Sequence, residues 1–94
     1  MSFTTVEGQD RGDVKLFTLS TCPWCKKTKE FLEKLGVRFA YCDMDTLEDQ
    51  EQDRLVSRLD SIDEKWGFPT VLIRDNIMIS GHKTDRIKQA LGLD

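Results

Sequence analysis

Two thiols, Cys22 and Cys25, close the run Phe17-Thr18-Leu19-Ser20-Thr21-Cys22-Pro23-Trp24-Cys25, in which an apolar strand leads straight into a helix start. A thiol attacks a disulfide as its anion, and a helix N-terminus stabilises an anion with unpaired backbone N–H groups and the positive end of its dipole. Cys22 falls at the N-cap position, and Pro23 suits the first helical residue, where a missing N–H costs nothing. Cys25 follows one turn later on the same face, within reach of the first sulfur. Lys26 and Lys27 add positive charge nearby. The pair reads as a nucleophile with its own resolving thiol: Cys22 captures a substrate in a mixed disulfide, and Cys25 displaces it. Trp24 is expected as an exposed apolar rim for a partner, with ordinary packing as the alternative.

Other chemistry competes for the same sulfurs. Zinc needs four ligands, and the chain has neither a second Cys-x-x-Cys nor a histidine pair. Cys22, Cys25, Cys42 and His82 would form a site only if scattered positions converged, so no bound metal is expected. Cys42 reads as a small buried hydrophobe, or else as a regulatory thiol. His82, the single histidine, reads as a solvated turn residue or a ligand contact. The acidic stretch from Asp43 to Asp53 is a solvated helix face or a surface for a basic partner.

Composition narrows the class. The chain has 94 residues, 38% hydrophobic and 33% charged, enough for one domain around a single core. Its net charge of −3 argues against a nucleic-acid surface. No apolar run approaches the ~20 residues of a membrane span, and Met1 to Asp13 lacks the layout of a secretory signal. Three cysteines, an odd number, point away from a structural disulfide framework and toward a reducing cytoplasm. A monomer is the expectation for so small and polar a surface.

Elements that could position the thiols follow from periodicity. Residues 1–12 form a polar, flexible lead-in, and 13–94 the domain. A strand spans Asp13 to Thr18, and a helix Pro23 to Leu35, with Phe31, Leu32 and Leu35 inward and Gly36 as its stop. Val37 to Cys42 alternates as a second strand. Thr46 predicts an N-cap for a second helix whose apolar positions Leu55, Val56, Leu59, Ile62 and Trp66 run to a stop at Gly67. Thr70–Ile73 and Ile77–Ile79 flank Arg74-Asp75-Asn76 as a hairpin. A last helix begins near Lys83 or Thr84 and turns Ile87, Ala90 and Leu91 inward. The first strand, helix and strand make a βαβ unit with parallel strands.

This order, β-α-β-α-β-β-α, with Cys22-Pro23-Trp24-Cys25 after the first strand and Phe68-Pro69-Thr70 opening the third, resembles the thioredoxin fold. Within it the chain is most similar to the glutaredoxins and glutaredoxin-like redoxins, from about Val14 to Leu91. The resemblance implies an α/β fold with a four-stranded mixed sheet flanked by three helices, and a thiol–disulfide oxidoreductase. It implies that Pro69 is a cis-proline beside the dithiol, leaving the Phe68 backbone to pair with an extended substrate. A strand-start proline in trans is the alternative. It further implies that Phe68, Pro69, Thr70, Ser80, Gly81, Thr84 and Asp85 bind glutathione or substrate. Many glutathione-using members carry Lys or Arg three positions before the first cysteine, where this chain has Leu19. Their glycine pair is here Ser80-Gly81, followed by His82 and Lys83. These departures shift weight toward redoxins served by a thioredoxin-reductase-type donor. The implied partners are disulfide-containing proteins plus either glutathione, as co-substrate, or that donor. Pro23 disfavours a shared iron–sulfur cluster.

Overall fold

The computed structural model describes residues 3–93. In chain order the elements are β1 (Thr4–Val6), β2 (Val14–Thr18), α1 (Pro23–Leu35), β3 (Phe39–Asp43), a 3-10 turn (Met44–Thr46), α2 (Asp49–Ile62), β4 (Thr70–Ile73), β5 (Ile77–Ser80) and α3 (Thr84–Leu91). The strands form one mixed sheet in the order β1-β3-β2-β4-β5. Only β2 and β3 run parallel, joined by the α1 crossover, and the remaining neighbours are antiparallel. The fold is the expected thioredoxin-like α/β arrangement with three helices.

Side chains alternate across the sheet with the period of two that a strand imposes. Val14, Leu16, Phe39, Val71, Ile73 and Ile79 pack on one face with Leu32 of α1 and Ile87 and Leu91 of α3. Phe17, Cys42 and Leu72 pack on the other with Met44 and with Leu55 and Leu59 of α2. The central strand β2 is therefore buried on both faces, and the loop that follows it is carried on a rigid base.

Local signals set α1. Cys22 caps it in extended conformation, Pro23 opens it, and Gly36 ends it at φ 71°, in the left-handed region, with its N–H on the Glu33 carbonyl. Elsewhere the boundaries depart from expectation. The sheet has five strands, not four, because Thr4–Val6, inside the segment expected as a lead-in, pairs with Phe39–Tyr41. Gln9 makes a further bridge to Val37, which lies outside β3. Three residues carry too little periodicity to announce a strand; the sheet edge supplies the order. Thr46 does not cap α2. Its hydroxyl donates to the Asp43 carbonyl at 2.7 Å and closes the 3-10 turn, while Glu48 takes the N-cap position. The helix stops at Ile62, not Gly67, with Asp63 extended. Trp66 lies beyond the helix, edge-on to Phe68 at 5.3 Å, with its Nε1–H on Asp60.

Candidate active site

Sheet register gathers the predicted residues at one end of the molecule. Parallel pairing of Thr18 with Asp43 puts the residues after β3 beside those after β2. Antiparallel pairing of Phe17 with Thr70 brings Pro69 to the same end, and pairing of Thr70 with Ser80 adds Gly81. The dithiol turn, the 3-10 turn, the Phe68–Pro69 segment and the β5–α3 turn therefore meet.

All three cysteines are free thiols; Cys22 is partly exposed, whereas Cys25 and Cys42 are buried. The Cys25 N–H donates to Cys22 Sγ at 3.2 Å. This is the N-cap bond that serine or aspartate usually accepts, made here by sulfur. The Lys26 N–H meanwhile donates to the Cys22 carbonyl at 3.1 Å. Burial, then the hydrogen bond the Cys25 thiol donates to Cys22, push the Cys25 thiol up to about 12, with the Leu19 backbone amide and Lys29 acting the other way. The two sulfurs therefore differ in kind: one open and amide-bonded, one buried and protonated.

The turn that holds them is anchored by acidic side chains expected as a solvated face or a surface for a basic partner. Ser20 donates to Asp45 through its backbone N–H at 2.9 Å and its hydroxyl at 2.5 Å, which holds the Asp45 carboxyl below its ordinary value. Thr18, fully buried, sets its hydroxyl against the Cys42 carbonyl and the Asp43 carboxylate. Asp43 also receives Lys29 Nζ at 3.2 Å. The signal that could have found both acids is topological: in a βαβ unit the C-terminal ends of the parallel strands lie side by side.

Trp24, Phe68, Pro69, Gly81, His82 and Lys83 line a groove of ≈ 340 Å³ beside the dithiol turn. The Phe68–Pro69 bond is cis, as the resemblance implies. Gly81 has φ 90° and donates its N–H to the Pro69 carbonyl at 2.7 Å, so a left-handed residue ties the β5–α3 turn to the proline segment. Thr70 and Ser80 turn elsewhere: Thr70 bonds the Gly67 carbonyl and shares a 3.0 Å contact with Ser80 Oγ, which also accepts the Gly67 N–H. These two residues brace the groove from behind. Thr84 and Asp85 open α3 and do not line the groove.

His82 is no free turn residue. The Thr28 hydroxyl donates to the Trp24 carbonyl at 3.0 Å, and His82 Nδ1 lies 2.9 Å from the same oxygen. One hydroxyl has one hydrogen, so with that hydrogen on the Trp24 carbonyl His82 Nδ1–H is the donor to the Thr28 oxygen. The ring also contacts Trp24 at 5.6 Å and Phe31 at 5.9 Å. Trp24 nevertheless stays 55% exposed, with Lys27 Nζ 4.6 Å over its ring. Among the described residues no three His, Cys, Asp or Glu side chains are placed to hold a metal ion.

Cys42 is the buried strand residue the sequence suggests, and burial, then the Asp43 charge, push its thiol up to about 11. Both buried thiols hold their protons more tightly folded than unfolded. Their contribution to stability is therefore complete below the ordinary value of 9.0 and is lost as pH rises toward 11 and 12. The reduced protein should show a urea midpoint that falls with pH above about 9. Cys42→Ala should give a shallower fall, measured as slope rather than absolute midpoint; an unchanged slope would exclude Cys42 as a contributor.

A dithiol at the start of α1, beside a cis-proline in this sheet order, defines a thiol protein of the thioredoxin fold. The sequence model of the glutaredoxin family matches residues 14–78. The structure is similar to that of the glutaredoxin from Methanosarcina mazei Go1, with 41% identity and a TM-score of 0.90, covering 98% of this chain and 89% of that one. It is also similar to Methanosarcina acetivorans methanoredoxin, at 41% identity and a TM-score of 0.85, with 90% of each chain covered. An uncharacterized glutaredoxin-like 8.6 kDa protein in the rubredoxin operon of Clostridium pasteurianum is 32% identical over 73 residues, 77% of this chain and 89% of that protein. The chain belongs to the glutaredoxin family. No helix among the described residues is long and apolar enough to cross a membrane.

Proposed function

We propose that the protein is a dithiol thiol–disulfide oxidoreductase. The observation that carries this reading is the hydrogen bond that the Cys25 N–H donates to Cys22 Sγ at the open end of α1, with the Cys25 thiol buried one turn away. The Cys22 thiolate attacks a sulfur of a substrate disulfide, and the other substrate sulfur leaves with the bonding electrons. Cys25 then attacks Cys22 Sγ, closes the Cys22–Cys25 disulfide and releases the reduced substrate. Pro23 and Trp24 shape the turn, and Phe68, Pro69 and Gly81 offer the extended part of the substrate a backbone-lined seat. Thr70 and Ser80 support that seat, and Thr84 or Asp85, at the start of α3 outside the groove, would meet the amine of a ligand that extends past Lys83.

Glutathione is one donor that would restore the thiols, and a thioredoxin-reductase-type protein is the other. Leu19 offers no cation for a thiol peptide's carboxylate, whereas Lys83 in the groove does. The protein acts as a cytoplasmic monomer, a reading supported by its odd count of three cysteines and by Trp24 being the one large exposed hydrophobic side chain among the described residues. The test pairs two assays. Cys25→Ser should accumulate a one-to-one mixed disulfide, read by mass, during reduction of an insulin substrate. Turnover of the parent protein is compared with glutathione plus its reductase and with thioredoxin reductase, each supplied with NADPH. Turnover with neither donor, together with stoichiometric zinc or iron in the purified protein, would overturn the reading.

A further inference from the structure

Cys25 must act as a thiolate in the resolving step, yet its exposure is 1% and burial keeps its proton in place. Forming the mixed disulfide removes the Cys22 charge but leaves the burial. Two groups favour the anion: the Leu19 backbone amide from the β2–α1 loop, and Lys29 of α1. Lys29 lies one turn after Cys25, on the same face of the helix. A lysine so placed would ordinarily carry its charge into water. This one is tethered: Nζ sits 3.2 Å from Asp43 Oδ1 and 4.1 Å over the Tyr41 ring, and its side chain is 23% exposed. Both tethers belong to β3, and Asp43 is fixed in turn by Thr18 of β2. Lys27, by contrast, points its charge at Trp24.

We propose that Lys29, held by Asp43 and Tyr41 one helical turn past Cys25, is a positioning residue for the second half-reaction, its fixed ammonium stabilising the thiolate that frees the trapped substrate. This rests on the dithiol reading above. In that step Cys25 yields its proton to solvent and its thiolate attacks Cys22 Sγ. The bond between Cys22 and the substrate sulfur breaks, and the departing sulfur keeps the electron pair and takes up a proton. The substrate is reduced and the Cys22–Cys25 pair oxidised. The charged groups acting on Cys25 are Cys22 and Lys29 of α1, and Asp43 of β3 faces Lys29.

Removing the ammonium raises the energy of the Cys25 anion. For each unit of upward shift the thiolate fraction at neutral pH falls about tenfold, while the more basic anion attacks about threefold faster, a net slowing of about three- to fourfold. The test is single-turnover stopped flow of the reduced protein with 5,5′-dithiobis(2-nitrobenzoate). The first thionitrobenzoate released reports attack by Cys22, and the second reports resolution by Cys25. Lys29→Met should slow the second phase at pH 7, by about three- to fourfold for each unit its pH profile moves upward, and leave the first phase unchanged. Lys29→Arg should restore both readouts, and Lys29→Gln serves if the methionine variant does not fold. An unaffected second phase, or equal slowing of both phases, overturns the proposal. A parent protein with no Cys25-dependent second phase would overturn the dithiol reading instead.

Discussion

Cys22→Ser is expected to leave a folded protein with no disulfide-reducing activity. Serine is a favoured N-cap, and its hydroxyl can accept the Cys25 N–H that sulfur accepts at 3.2 Å in the parent. The start of α1 therefore survives. An alcohol stays protonated at neutral pH and does not exchange with disulfides, and Cys25 is too buried to take over the first attack. Turnover in the insulin assay should drop to the uncatalysed rate with either donor, while the urea midpoint stays at or above the parent's. Cys25→Ser separates the steps: it retains capture and loses release. Turnover by Cys22→Ser at the parent's rate would remove the nucleophile from the scheme.

The second large effect is on stability. Phe17 lies on the central strand, 1% exposed, packed among Cys42, Met44, Leu55, Leu59 and Leu72, with Phe3 edge-on at 5.6 Å. Truncating a buried phenylalanine to alanine costs about 3–5 kcal/mol, from lost transfer energy plus the cavity. Total stability of such a domain is about 5–15 kcal/mol, so Phe17→Ala should lower the melting temperature by at least about 12 °C. The urea midpoint should fall with little change in slope. A loss below about 1 kcal/mol would mean that the cavity collapses and that β2 is less rigid than its burial implies.

The dithiol helix was legible because its signals are local. Cap, first-turn proline and terminal glycine all sit within one stretch of chain, and the proline and glycine do in the structure what their residue types favour. The hairpin was legible for a similar reason: short apolar runs bounded by turn residues leave few alternatives. The segment from Asp43 to Gly67 was read less well. Thr46 bonds back to the Asp43 carbonyl instead of forward to α2, and Trp66 kept a helical spacing after the helix had ended. Asp43 and Asp45 act on residues about twenty-five positions away, through register that only the folded sheet supplies. His82 was hidden likewise: its partner Thr28 is 54 positions distant, and neither residue announces the pairing.

The short strand at the start of the domain has a bearing on how copies of this protein meet. Without Thr4–Val6, the five residues of β3 would offer their backbone groups along an open sheet margin, a template on which another polypeptide could extend the ladder. With it, that margin shrinks to a three-residue stub. So short an edge strand is a poorer template for edge-to-edge pairing than a long one, and it lies at the end of the sheet order farthest from β5 and the groove that follows it.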